Sequence, residues 1–90
     1  MNNIGPEGCN LLAGSIKDQK KLEMLELESN NISAEGIPAL SDVFKDLKEL
    51  KSLNLSNNNL NAKAAQSLGI SLKDLSLLTN LNLCINWLIV

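Results

Sequence analysis

A chain of 90 residues that is 44% hydrophobic, yet holds one Phe, one Trp and no Tyr, has material for one core and must build it from aliphatic side chains. Its eight cations are all Lys, it has no His, and its formal charge is -2, which excludes the basic footprint of nucleic-acid binding and removes the commonest general base. No apolar run nears the roughly 20 residues of a membrane span and Met1-Asn-Asn opens without a basic or apolar leader, so no membrane contact is expected and the expected location is cytoplasmic.

The first predicted element is a helix from about Pro6 to Lys20, with Pro6 in its first turn and Leu12 and Ile16 four residues apart on one face. A strand from Met24 to Glu28 follows, inside the string Leu22-Glu-Met-Leu-Glu-Leu-Glu-Ser-Asn-Asn-Ile32. Ser33 is the expected N-cap of a second helix, Ala34 to Leu47, whose buried face carries Leu40 and Phe44; Pro38, near its first turn, is expected to distort it slightly. Next come a strand from Ser52 to Ser56, a helix from Ala62 to Ser76 with Leu68 and Leu72 on its inner face, and a strand from Asn80 to Cys84. Gly8, Gly36 and Ala64 keep side chains small where each helix meets its neighbour.

These elements repeat. The string at Leu22 returns as Leu50-Lys-Ser-Leu-Asn-Leu-Ser-Asn-Asn-Asn-Leu60 and as Leu78-Thr-Asn-Leu-Asn-Leu-Cys-Ile-Asn-Trp-Leu88, 28 residues apart each time. The pattern L-x-x-L-x-L-x-x-N-x-L at fixed spacing is the mark of a leucine-rich repeat, and one domain over 1-90 is expected, with a partial repeat 1-21, full repeats 22-49 and 50-77, and a partial repeat 78-90. Strands joined through helices pair in parallel with right-handed crossovers, which gives an α/β solenoid, a horseshoe segment with three parallel strands on the concave face and three helices on the convex face.

Alternation along each strand sorts its side chains. Leu22, Leu25 and Leu27 and their repeat equivalents point toward the helices, while Met24, Glu26, Glu28, Ser52, Asn54, Ser56, Asn80, Asn82 and Cys84 point out. That outward grid is the expected partner-binding surface, with Met24 as its apolar anchor and Cys84 a small filler. Asn30, Asn58 and Asn86, with Asn2 in the same column, have a structural task instead. A side-chain amide offers two donors and an acceptor, enough to serve backbone groups in its own turn and in the adjacent repeat.

With three strand segments in register and a helix in every unit, the chain resembles the ribonuclease-inhibitor-like class of leucine-rich repeats. The resemblance implies a recognition surface; proteins of this class include inhibitors that wrap an enzyme, innate immune receptors, Ran GTPase-activating proteins and multidomain scaffolds. Against the class, the chain starts inside one repeat and stops just after the strand of another. Trp87, Leu88, Ile89 and Val90 stand where the next helix would start, and leaving such side chains in water forfeits roughly 1.5 to 3 kcal/mol each. Either further repeats or a second copy is therefore expected to shield them, the latter by self-association through the C-terminal edge.

Chemistry is expected to be absent. Cys9 and Cys84 lie almost three repeats apart, too far to bridge, and neither has a His or Arg to make it a thiolate. Two remote thiols form no zinc site, so no metal and no cofactor is expected. An activator of GTPases that works by an inserted arginine needs an Arg, which this chain lacks. Glu23, Glu26 and Glu28 face no second acid across the sheet and read as a solvated acidic patch or a contact for a basic partner. The sequence therefore points to a non-catalytic protein-protein interaction module. Its rivals are a regulatory segment of a larger enzyme, such as a kinase or GTPase activator, and an assembly piece that associates through apolar ends.

Overall fold

The computed structural model describes residues 3–84 and residue 86. Met1, Asn2, Ile85 and the apolar group Trp87, Leu88, Ile89 and Val90 lie outside the described residues. Three helices alternate with three short strands: α1 (Gly5–Ile16), β1 (Met24–Glu26), α2 (Ser33–Phe44), β2 (Ser52–Asn54), α3 (Ala62–Leu72) and β3 (Asn80–Asn82). The sheet order is β1-β2-β3 and both pairings are parallel. Met24 pairs with Ser52 and Ser52 with Asn80, so each strand meets its neighbour 28 residues on, at the same point of the repeat. The helices pack α1 on α2 and α2 on α3 in a second layer, giving an α/β solenoid segment.

Aliphatic columns hold the two layers together. Leu53, Leu55, Leu50, Leu40, Phe44 and Leu47 are all buried in one cluster, which is complete only in the middle of the array. Leu53 is 1% exposed, whereas its column partner Leu25 is half-buried and Leu81 is 43% exposed. The sequence identified these columns as inward-facing, and their unequal cover follows from position, since among the described residues only the middle strand has a neighbour on both sides. Cys9 and Ile37 form a further buried helix column that the sequence pattern did not single out. A methyl carbon on Gly36 would lie 2.9 Å from both Cys9 Sγ and Ile32 Cγ2, so the small residue there is what lets α1 and α2 approach.

Every helix stops three or four residues before its predicted end. After Ile16, Phe44 and Leu72 the chain closes two successive three-residue turns, seen as Leu47 N–H to Phe44 O at 3.0 Å and Leu50 N–H to Leu47 O at 3.0 Å, with equivalents in the other repeats. These turns carry the chain back to the sheet and bury Leu47 and Leu75 beneath them. Lys17, Lys45 and Lys73 occupy the C-cap of the three helices, where a cation offsets the carbonyl end of the helix dipole.

The helix starts need correction as well. Ser33 is not an N-cap: it is the first residue of α2, its φ is 58°, and its hydroxyl bonds Glu35 Oε1 at 2.7 Å. That contact, with help from the backbone, lowers the Glu35 carboxyl below its usual range. Asn61 is the residue that caps, its side chain accepting from Ala64 N–H at 2.9 Å. Pro6 lies in the first turn of α1 as expected. Pro38 lies deeper than the first turn, as the sixth residue of α2, exposed and inside an unbroken helix. Lacking an N–H, it leaves the carbonyl of Ala34 without its helical donor. Pro38→Ala is therefore expected to raise stability by about 1 to 2 kcal/mol, less than the roughly 3 kcal/mol of a mid-helix proline because the looser unfolded chain offsets part of the gain. A urea melt reads this directly, and an unchanged or lower midpoint would show that the missing bond costs nothing here.

Candidate functional site

The concave side of the sheet is covered by no other element among the described residues. Parallel pairing lays the outward residues in two rows, Met24, Ser52 and Asn80 in one and Glu26, Asn54 and Asn82 in the other. Glu28, Ser56 and Cys84 follow in the next row beyond the strands, aligned by Ser29 N–H to Ser56 O at 3.0 Å and Asn57 N–H to Cys84 O at 2.9 Å. Met24, Glu26, Glu28, Asn80 and Cys84 are exposed, while Ser52, Asn54, Ser56 and Asn82 are half-covered. Met24 stands out as an apolar side chain 59% exposed on an otherwise polar face.

Not every polar group on the grid is at a partner's disposal. Asn54 Oδ1 accepts from Ser56 N–H at 3.0 Å and Asn82 Oδ1 from Cys84 N–H at 3.0 Å, so these carbonyls close the turn that ends each strand. These bonds mark the ends of β2 and β3, two residues before the predicted ones, whereas β1 ends equally early at Glu26 without such a bond. Asn54 Nδ2 in turn donates to Glu28 Oε2 at 2.7 Å, which fixes that carboxylate. Glu26 shares the column of Asn54 and Asn82 without making the turn-closing bond, so its carboxylate remains turned outward. Glu23 pairs with Lys51 of the next repeat at 3.3 Å and is exposed, off the grid.

Below the grid runs a ladder of amides. Asn58 Oδ1 accepts from Asn30 N–H at 2.9 Å and Ile32 N–H at 3.2 Å, both in the preceding repeat. Its Nδ2 donates to Leu27 O across the repeat boundary and to Leu55 O and Ser56 O in its own turn. Asn86 repeats the pattern on Asn58 N–H, Leu60 N–H, Leu55 O, Leu83 O and Cys84 O. Asn30 donates to Leu27 O and Glu28 O, and its buried Oδ1 has no donor among the described residues. The turns that present these groups need left-handed backbone at Ser29, Asn31, Ser33, Asn57 and Asn59, with φ between 54° and 60°. Asn tolerates that region better than most residues. The sequence pattern located the Asn column but gave no sign of a second bond beside it, Asn57 Nδ2 to Ser29 Oγ at 2.9 Å.

On the helix side, a groove of about 450 Å³ between α2 and α3 is lined by Ser41, Ser67, Ser71 and Ile70 with Lys45 and Asp46. Its mixed charges converge on no single point, and Lys45 is already paired with Asp42 at 3.1 Å, which raises its ammonium above the usual lysine range. Among the described residues no group of three or more acidic, Cys or His side chains could hold a metal, and no helix is long and apolar enough to cross a membrane. Both cysteines are free. Cys9 is buried and its thiol is pushed up by desolvation, while Cys84 is exposed. A thiol reagent at pH 8 is expected to modify Cys84 promptly and Cys9 only as the chain unfolds; equal rates would place Cys9 at the surface. Because folding raises the Cys9 value above the ordinary 9.0, the native state holds the proton where the unfolded chain releases it. Stability is thus expected to be full below about pH 9 and to fall above it, as urea midpoints at pH 8 and 9.5 would show.

A strand, an Asn-braced turn and a helix, stacked with every equivalent residue in line, define a solenoid repeat protein with one open sheet face. The sequence model of the Leucine Rich repeat family matches residues 19–41 and 48–69, half of the chain, and the chain belongs to that family. No curated protein matches it. Repeats of this family are in general protein-interaction modules and typically non-catalytic.

Proposed function

We propose that the chain binds a protein partner through the concave grid formed by Met24, Glu26, Glu28, Ser52, Asn54, Ser56, Asn80 and Asn82, without catalysis or cofactor. The observation that carries this reading is the uncovered sheet face, on which Met24 is 59% exposed beside two carboxylates while the opposite face is filled by leucine. Exposed Met is typical of interface centres, where it supplies adaptable apolar contact. The grid holds Glu26 and Glu28 and no lysine, a charge balance that favours a protein over a nucleic acid or an anionic membrane. Within this reading residues 1-90 form one domain of the ribonuclease-inhibitor-like class with a 28-residue repeat, supported by the strand register and by a helix in every unit. Two free thiols, one of them in the core, fit a cytoplasmic setting.

The test uses a partner captured by the chain and then measured against variants. Met24→Asp and Glu26→Lys are expected each to weaken binding more than tenfold, about 1.4 kcal/mol or above. Lys48→Glu and Ile70→Ser, on the helix side, are expected to leave it unchanged. Loss of binding in the helix-side variants with none in the grid variants would overturn the reading.

A further inference from the structure

We propose that the partner of the concave grid is a basic polypeptide segment, one that sets a Lys or Arg against Glu26 and Glu28 and an apolar side chain against Met24. The proposal rests on the concave-face reading above and names the chemistry that fills that face. Charge is divided unevenly over the molecule. Ten acids stand against eight lysines, and once Glu26 and Glu28 are set apart the remaining acids equal the lysines in number, so the formal charge of -2 falls entirely on the grid. No lysine stands in its three rows, and Lys51, just before Ser52, is held by Glu23 at 3.3 Å. The face therefore carries uncompensated negative charge on a molecule balanced everywhere else, which attracts a cationic partner and repels an acidic one.

The repeat itself does not call for these side chains. In the column of Glu26 the other two strands carry Asn54 and Asn82, whose carbonyls accept from the backbone two residues on and so serve the fold. Glu26 makes no such bond and meets no cation among the described residues, which leaves its carboxylate to the outside. Glu28 is held in place by Asn54 Nδ2 at 2.7 Å on Oε2, and its Oε1 takes no donor among the described residues. In the third column Met24 stands where the others have Ser52 and Asn80, and is 59% exposed. Two like charges and one large apolar group thus follow one another on the same side of β1, each about 7 Å from the next by the rise of a strand. A segment with an apolar residue about two to four positions from a Lys or Arg matches that spacing, whether extended or helical, and its cation relieves the repulsion between the two carboxylates. At the far side of the face Asn82 has its carbonyl turned to Cys84 N–H, so its amide hydrogens are left as donors, suited to a carbonyl of the same segment.

Panning the 90-residue chain against a displayed library of random dodecapeptides at neutral pH reads the preference of the face directly. The selected peptides are expected to be enriched in Lys or Arg close to an apolar residue. Against a selected peptide made synthetically, Glu26→Lys is expected to lower affinity more than about tenfold, and changing the peptide's own basic residue to Glu is expected to restore most of the loss, which also shows that the variant folds. Glu49→Lys makes the same change of charge in the exposed turn before β2, away from the grid, and is expected to alter affinity less than about threefold. Selection of neutral or acidic peptides, no selected peptide at all, or equal losses from Glu26→Lys and Glu49→Lys would each overturn the proposal. Its failure is distinct from that of the reading beneath it. Neutral peptides whose binding is lost with Met24→Asp would leave the concave face as the site and remove its preference for cations, whereas peptides indifferent to Met24→Asp and Glu26→Lys but lost with Ile70→Ser would remove both.

Discussion

Asn58→Ala is expected to lower the stability of the array by about 3 to 5 kcal/mol, among the largest effects of any single substitution. The side chain is fully buried and makes five hydrogen bonds, two as acceptor and three as donor. All five go to backbone groups, and Asn30 N–H and Leu27 O belong to the preceding repeat, so the amide pins two repeats together as well as closing its own turn. Truncation leaves those groups buried without water, at about 1 to 3 kcal/mol for each that finds no replacement. Asn30→Ala should cost clearly less, because Asn30 Oδ1 accepts nothing among the described residues. Urea melts of the two variants check both statements. An Asn58 variant no weaker than the Asn30 variant would mean that the cross-repeat bonds carry no net stability.

Leu53→Ala is expected to cost roughly 2 to 5 kcal/mol. Leu53 lies at the centre of the middle strand, 1% exposed, between column partners on both sides and beneath the helix layer. Its neighbours are held by backbone ladders above and below, so the cavity left by three missing carbons cannot easily collapse, and the upper part of the range applies. Leu81→Ala, the same change in a side chain 43% exposed, should cost far less. A domain is commonly stable by only 5 to 15 kcal/mol, so the Leu53 variant is expected to have a markedly lower urea midpoint at unchanged slope. An unshifted midpoint would mean that the leucine columns do not form the core.

Much of this fold is written in spacing. Leu22, Leu50 and Leu78 announce the repeat, and the alternation of Leu25 with Glu26 and Leu27 divides inside from outside before any coordinates are consulted. What spacing does not carry is where an element stops. The helices were expected to run to Lys20, Leu47 and Ser76 because apolar residues continue at helical intervals, yet Leu47 and Leu75 are buried by a pair of tight turns that present a leucine to the core much as a helix would. Ser33 looked like a cap because its residue type favours that place, but the backbone there is left-handed and the hydroxyl bonds Glu35 instead. The grid residues were legible as outward-facing, whereas the turn-closing bonds of Asn54 and Asn82 were not, since they depend on a local bend that no periodicity encodes.

The lysines at the helix ends have an electrical consequence. Strands that all run one way require helices that all run the other way, so the peptide dipoles of α1, α2 and α3 point in the same direction and add. Each helix places about half a negative charge at its carbonyl end, which gives that rim about one and a half negative charges from three helices. Lys17, Lys45 and Lys73 set three positive charges along the same rim, but each is followed by an acid, Asp18, Asp46 and Asp74, so the side chains cancel and the rim stays negative. Every added repeat contributes another dipole and, where the column holds, another lysine. The array is thus a row of oriented batteries, and replacing those lysines by neutral residues would deepen a negative rim whose field grows with the number of repeats.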